Sequence, residues 1–148
     1  MKVYLAADHA GFELKEKIKE FLVKDGYEVI DFGAETFDPE DDYPDFISKA
    51  AEAVSKDPTS KAIILGGSGQ GEAMVANKFP NVRAAVYYGK AEEMPSLTRQ
   101  HNNSNILSLG ARFLTEEEAN SAVKLFLETP FSEEERHIRR IEKIENGS

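Results

Sequence analysis

The sequence predicts a single α/β domain with a five-stranded parallel sheet, doubly wound so that helices cover both faces. Its 148 residues match the length of one domain. Short runs rich in β-branched and apolar residues alternate with helical patterns, and parallel neighbours require such crossover helices. The predicted strands are Val3 to Ala7, Tyr27 to Phe32, Ala62 to Leu65, Ala84 to Tyr88 and Ile106 to Leu109.

The helices are predicted from apolar spacing and from capping residues. Leu14, Ile18 and Leu22 repeat on one face of the first helix, with Glu and Lys on the other, and Gly26 is placed to cap its end. Pro44 suits the first turn of the second helix. Two capping boxes predict later helix starts, Thr115 with Glu118 and Ser132 with Glu135. The last helix is predicted over about residues 132–146.

Composition restricts the partners of the chain. The formal net charge of −9 argues against a nucleic-acid surface, because phosphate contacts need clustered cations. Apolar runs stay well short of the ~20 residues that a membrane helix needs, and the first residues form a strand-like run without a signal-peptide pattern. We therefore expect a cytoplasmic protein without nucleic-acid or membrane partners, and the absence of cysteine is compatible with a reducing compartment.

Polar segments follow three of the predicted strands, at the edge where doubly wound sheets bind ligands. They are DHAG at 8–11, GGSGQGE at 66–72 and the region after Leu109. The longest irregular segment, GAETFDPEDD at 33–42, is more typical of a solvated loop than of a catalytic one.

The glycine loop at 66–72 predicts an anion-binding turn, because glycine turns between a strand and a helix can direct N–H groups at a ligand. It matches neither the dinucleotide fingerprint nor the Walker pattern, which closes on Gly-Lys-Ser/Thr. Glu72 has two interpretations. It can interact with the helix dipole in a first turn, or it can be a partly desolvated carboxylate whose pKa is raised toward that of a general base.

The segment RHIRR at 136–140 predicts a phosphate site. On a helix, Arg136 and Arg140 are i, i+4 neighbours and His137 shares their side, so all three can face one anion. The alternative is a solvated face paired with nearby glutamates. The three histidines are far apart in sequence and lack metal-ligand spacing, so no metal site is predicted.

Five segments in a fixed order resemble the ribose-5-phosphate isomerase B family, which includes the galactose-6-phosphate isomerase subunits. They are AADHAGFELK at 6–15, DYPDF at 42–46, GGSGQGEAMVANKFPNVRA at 66–84, RQHNNSNILSLGAR at 99–112 and RHIRRI at 136–141. The resemblance implies an aldose–ketose isomerase that needs no metal or organic cofactor and moves a proton between C1 and C2 through an enediolate. It also implies a homodimer or a dimer of dimers with active sites shared between subunits, and we expect the last helix to pack on the partner.

The resemblance also implies residue roles. One branch of the family carries a cysteine base where this chain has Gly66, and a second branch uses a glutamate that matches Glu72, so Glu72 is the expected base. His101, in a polar loop before the fifth strand, resembles the ring-opening histidine, and Ser68 would relay or hydrogen-bond the proton of O1 and O2. The expected substrate contacts are Asp8, His9, Tyr43, Gly67, Gly69, Gly71, Asn102, Arg112, Arg136, His137 and Arg140.

Other readings of the sequence stay open. The substrate can be a different sugar phosphate, such as allose or galactose 6-phosphate, because packing sets the length of the pocket. The domain can also be a non-catalytic module that binds a sugar phosphate or a nucleotide, since fold alone does not imply activity. A third alternative is a subunit that is active only with a related partner chain. Among single residues, Asp8 can cap a helix and Ser68 can satisfy its own loop.

Overall fold

The computed structural model describes residues 1–147 and contains one all-parallel sheet with the strand order β2-β1-β3-β5-β4. The strands are β1 (Lys2–Ala7), β2 (Glu28–Asp31), β3 (Lys61–Gly66), β4 (Ala84–Tyr87) and β5 (Ile106–Gly110). The chain leaves β1 toward one edge of the sheet and returns to β3 on the other side, which makes the gap between these strands the topological switch point. The predicted fold class is confirmed.

In the described residues, six α-helices connect and cover the strands. They are α1 (Phe12–Lys24), α2 (Pro44–Lys56), α3 (Gln70–Ala76), α4 (Met94–Asn102), α5 (Glu116–Glu128) and α6 (Glu135–Asn146). Alternate residues of β1 point to opposite faces: Val3 and Leu5 pack with α1 and α5, whereas Tyr4 and Ala6 pack with α2 and α3. No helix in residues 1–147 is long and apolar enough to cross a membrane.

Three of the predicted helix boundary signals are confirmed. Pro44 lies in the first turn of α2, Gly26 follows α1 with a φ of 90°, and Thr115 forms the capping box of α5 with Glu118. The fourth signal is wrong, because α6 begins at Glu135 and not at residue 132. The backbone N–H of Ser132 donates instead to the Gln100 carbonyl of α4, at 3.2 Å.

Helix α4 is an element that the sequence analysis did not predict. His101 lies in its last turn and not in an irregular polar loop. The helix has the sequence MPSLTRQHN, and its inner face buries Pro95, Thr98 and Arg99. Because two of these three buried residues are polar or charged, the apolar periodicity that reveals a helix is missing.

A buried lysine in α1 is a second departure from the predicted pattern, which placed all charges of this helix on its outer face. Lys15 is fully buried, and its Nζ lies 2.6 Å from Oδ2 of Asp31 at the end of β2. Burial alone would raise the pKa of Asp31, but hydrogen bonds from Lys15 and from the Gly33 N–H outweigh it, so the pKa is lowered. The pair anchors the start of the loop at 33–42 to the sheet.

Candidate active site

A cleft of about 490 Å³ opens at the carboxyl ends of β1, β3 and β5. Its lining combines several of the predicted site residues with two that were not predicted, Ala10 and Phe113. The predicted residues in the cleft are Asp8, His9, Tyr43, Gly67, Ser68, Gly71, Glu72 and Arg112. The topological switch point between β1 and β3 therefore brings together segments that lie far apart in the sequence.

Glu72 lies in the first turn of α3 and is only 4% exposed. Burial raises the pKa of its carboxyl group, the nearby charge of Asp8 raises it further, and the backbone N–H groups of Glu72 and Gly69 act in the opposite direction. The net effect is a raised pKa of Glu72. Of the two interpretations that the sequence left open, the structure favours a desolvated carboxylate suited to general-base chemistry.

Gly66 makes room for this carboxyl group. A Cβ atom added at Gly66 would overlap the carboxyl carbon and both carboxylate oxygens of Glu72. The carboxylate therefore occupies the position that a side chain at residue 66 would take. A chain with Glu72 in this place cannot also carry a cysteine at residue 66 without moving one of the two.

Two further glycines make room for other side chains of the cleft. A Cβ atom at Gly67 would come within 2.9 Å of a guanidinium nitrogen of Arg112, and one at Gly71 would come within 2.6 Å of the Tyr43 hydroxyl oxygen. Contacts this short do not occur with real Cβ atoms. The glycine pattern thus lets the side chains of two candidate site residues lie directly against the loop.

Gly69 does not line the cleft with its neighbours. It adopts a left-handed conformation, with a φ of 80°, and faces the backbone of β5. The fully buried hydroxyl group of Ser108 donates to the Gly69 carbonyl at 2.7 Å. Gly69 therefore shapes the turn, and its contact with a substrate stays a prediction.

Asp8 and Ser68 keep the local roles that the sequence allowed as alternatives while they also face the cleft. Asp8 is 6% exposed, and its Oδ1 accepts hydrogen bonds from the N–H groups of Ala10 and Gly11, at 3.0 and 3.3 Å. The Ser68 hydroxyl group accepts from the Gln70 N–H at 3.3 Å and is exposed. Both side chains line the cleft and retain oxygen atoms that can contact a substrate.

Asp41, which was not predicted from the sequence as a site residue, contacts His9. The Nδ1 atom of His9 lies 2.7 Å from Oδ1 of Asp41, although the two residues are 32 positions apart. With Asp8 they bring three potential metal-ligand atoms within 4.8 Å of one another. The direct hydrogen bond engages two of these atoms, so the group is a hydrogen-bonded cluster. Metal independence stays a prediction.

His101 and His137 form a second group, away from this cleft. Their rings stack with centroids 4.7 Å apart and planes inclined by 18°. His101 and Asn102 line a smaller cavity of about 200 Å³ beside β4 and α4. Among residues 1–147, the lining of the Glu72 cleft includes neither His101 nor Asn102.

The predicted phosphate cations lie on α6, the helix that carries His137. His137 is 5% exposed, and burial lowers its pKa, as do the charges of Arg136 and Arg140. Both arginines are exposed, and Nε of Arg136 lies 3.4 Å from a Glu134 carboxylate oxygen. This contact supports the alternative of a glutamate-paired face for Arg136. The support is only partial, because the contact is long and exposed to solvent.

An ion pair at its far end holds α6 against the body of the domain. Arg83, which precedes β4, pairs with Glu145. Its Nε donates to the carbonyl oxygens of Asn102 and Asn103, both at 3.1 Å. The Arg83 side chain thus links α6, which carries the cationic residues, to the end of α4, which carries His101.

Comparisons with known proteins agree with this arrangement. A sequence profile described as Ribose/Galactose Isomerase matches residues 3–144. The chain is 46% identical over 142 residues to ribose-5-phosphate isomerase B of Mycobacterium tuberculosis, across 96% of this chain and 86% of that protein. The Mycoplasma genitalium ribose-5-phosphate isomerase B structure with bound ribulose-5-phosphate superposes with a TM-score of 0.94 and 39% identity, covering 99% of this chain and 95% of that one.

A second solved structure gives the same result. Ribose 5-phosphate isomerase from Thermotoga maritima superposes with a TM-score of 0.91 and 41% identity, covering 98% of this chain and 97% of that one. Both the sequence and the structural matches extend over nearly the whole chain, and they confirm the resemblance found in the five sequence segments. The chain belongs to the ribose/galactose isomerase family.

Proposed function

We propose that this sugar-phosphate isomerase interconverts ribose 5-phosphate and ribulose 5-phosphate through an enediolate. The observation that carries the proposal is the position of Glu72, a buried carboxyl group with a raised pKa in a cleft that also contains His9 and Arg112. The cleft thus combines a base, side chains that can contact sugar hydroxyl groups, and cations that can bind an anionic group. The M. genitalium relative is solved with ribulose-5-phosphate bound, which supports the pentose phosphate as substrate.

The proton transfer uses groups of one subunit. Glu72 removes the proton from C2 of the open-chain aldose, the C2–H electron pair forms the C1–C2 double bond, and the π pair of the C1 carbonyl moves onto O1. The same carboxyl group then returns the proton to C1, while Ser68 assists proton transfer between O1 and O2. Backbone N–H groups between Gly67 and Gly71 would stabilise the negative oxygen of the enediolate.

A second subunit completes the site in this proposal. His101 would open the sugar ring, and Arg136, His137 and Arg140 would hold the phosphate, but all four lie outside the Glu72 cleft of their own chain. On α6, Ile138 and Ile144 are exposed, by 39% and 62%. Exposed apolar side chains on a helix that also exposes arginines fit a contact with a second copy of the chain, so the functional unit is a homodimer or a dimer of dimers.

Complementation between two inactive variants tests the shared site. Co-expressed Glu72→Gln and His101→Asn chains should recover roughly a quarter of the parent activity, because half of randomly assorted dimers are hybrids with one intact site of two. The measurement is turnover of the purified mixture against each variant alone. Glu72→Gln mixed with Gly66→Ala is the matched control and should recover nothing, since both changes damage the same subunit's contribution. Hybrid dimers without activity would contradict a shared site.

Ketose formation from ribose 5-phosphate by the purified chain tests the function itself. The assay contains EDTA, because independence from metals is part of the proposal, and allose 6-phosphate and galactose 6-phosphate are run in parallel. We expect ribose 5-phosphate to be turned over fastest. Turnover of a hexose phosphate alone would keep the mechanism and change the substrate, while inactivity on all three would support a binding module or a partner-dependent subunit. The cytoplasmic location expected from the sequence stays a prediction.

A further inference from the structure

The contact between His9 and Asp41 has a geometry that a solvated loop does not explain. A single oxygen of Asp41, Oδ1, accepts two hydrogen bonds from His9, one from the backbone N–H at 3.1 Å and one from the ring Nδ1 at 2.7 Å. The Asp41 side chain is only 8% exposed. Its second oxygen, Oδ2, is buried and has no hydrogen-bond partner among residues 1–147. In the described part of the chain, His9 is thus the group that compensates this carboxylate.

The two hydrogen bonds to Oδ1 of Asp41 fix the orientation of the His9 imidazole ring. The backbone bond sets the distance between Asp41 and the His9 main chain, and the ring bond keeps a proton on Nδ1, which leaves Nε2 available to a ligand. The edge contact between the rings of Phe37 and His9, with centroids 6.2 Å apart, restricts the ring further. His9 itself lines the cleft that contains Glu72 and Arg112.

The charges around His9 favour its protonated form. The hydrogen bond to Asp41 is the largest influence and raises the pKa of His9, and the charges of Asp8 and Asp41 also raise it. Desolvation and the charge of Arg112 act in the opposite direction, and the net shift is upward. In the protonated ring, Nε2 is a hydrogen-bond donor that carries positive charge.

We propose that Asp41 is a positioning residue that holds His9 so that its Nε2–H donates to an anionic oxygen of the bound sugar phosphate. The inference rests on the proposed function for the identity of the ligand. It assigns a task to the loop at 33–42, whose sequence is typical of a solvated connection. The subunit that contributes Glu72 then provides a charged donor to the ligand from His9, in addition to Arg112.

The test is Asp41→Asn, which keeps the shape of the side chain and removes its charge. We expect the pKa of His9, followed by NMR of its ring, to fall, and the affinity for ribose 5-phosphate at roughly pH 8 to weaken about tenfold. At roughly pH 5.5 the loss should be small, because His9 is protonated with or without Asp41. In turnover assays the loss should appear in KM rather than in kcat.

Asp42→Asn is the matched control, because Asp42 is the exposed neighbour of Asp41 and contributes a similar charge to the surroundings. It should change neither the His9 pKa nor the affinity. In a His9→Asn background, Asp41→Asn should weaken binding no further, since its effect passes through His9. An equal loss in that background, or an unchanged pH dependence of affinity, would overturn the proposal.

Two readouts keep the test independent of turnover and of the stability of the variant. The His9 pKa and the binding of inorganic phosphate can be measured on a chain that isomerises nothing, so a failure of the proposed function leaves the inference testable. If Asp41→Asn does not fold, the His9 pKa of the parent chain tests the proposal instead. A His9 pKa at or below the ordinary value of about 6.5 in the parent would contradict the role of Asp41.

Discussion

Replacing Glu72 by Gln should lower kcat by roughly 10²–10⁴-fold while the affinity for ribose 5-phosphate stays within about twofold of the parent. Gln has nearly the same size and keeps the packing at this buried position. It removes only the ability to accept a proton. The measurement is steady-state kinetics in both directions, combined with a direct binding titration of the variant.

The environment of Glu72 explains why one functional group should account for so much of the rate. A carboxylate in water is a weak base toward a carbon-bound proton, and burial strengthens it by disfavouring the charged form. Because the pKa of Glu72 is raised, kcat/KM of the parent should fall with decreasing pH already above the ordinary glutamate range. Glu72→Gln should lose this acidic limb together with the activity.

A matched control separates catalysis from a general loss of charge. Glu117→Gln removes a carboxylate from the exposed surface of α5, outside the lining of the Glu72 cleft, and it should leave kcat and KM unchanged. Near-parent turnover of Glu72→Gln would contradict the proposed mechanism even if ribose 5-phosphate proved to be the substrate. Loss of binding with unchanged kcat would instead make Glu72 a ligand contact.

The fold could be predicted from the sequence because each signal for it is local. Alternating apolar runs and helical stripes define the layers, and parallel strands then require crossovers. The features that the sequence did not predict have a common cause, which is packing between residues far apart in the chain. Lys15 appears on a charged helix surface in the sequence, yet it is fully buried because Asp31 of β2 compensates its charge. Helix α4 was missed because Arg99, a buried charged residue, breaks the expected apolar stripe.

The candidate site was predictable to the extent that its residues follow strands. Asp8, the glycine loop and Arg112 come directly after β1, β3 and β5, so the sheet brings their segments together. Asp41 has no such signal, because it lies in a loop and affects the cleft only through its hydrogen bonds with His9. The stacking of His101 on His137 was equally hidden, since it depends on how α6 lies against α4.

Replacing Gly66 by Ala should reduce kcat nearly as much as removing the base, by roughly 10²-fold or more. Gly66 is the last residue of β3 and its φ is not positive, so the backbone tolerates Ala and the cost comes from space alone. The added methyl group overlaps the carboxyl group of Glu72 and must displace it from the cleft. Kinetic assays and thermal unfolding of the variant check this expectation.

Gly67→Ala provides a comparison within the same loop. Its Cβ atom would meet the end of the flexible Arg112 side chain, which can move aside, so we expect a rise in KM with a much smaller change in kcat. The difference between the two alanine variants should therefore identify the displaced group. Equal effects on kcat would mean that Ala at either position simply distorts the loop.

A double-mutant cycle shows whether Gly66→Ala acts through Glu72. If the methyl group disables the base by displacement, Gly66→Ala should cost little in a chain that already carries Glu72→Gln, and the two effects will not add. Additive effects would mean that residue 66 influences turnover independently of the carboxylate. Non-additivity would make the absence of a side chain at residue 66 a requirement for a glutamate base at residue 72, because both groups need the same space at the end of β3.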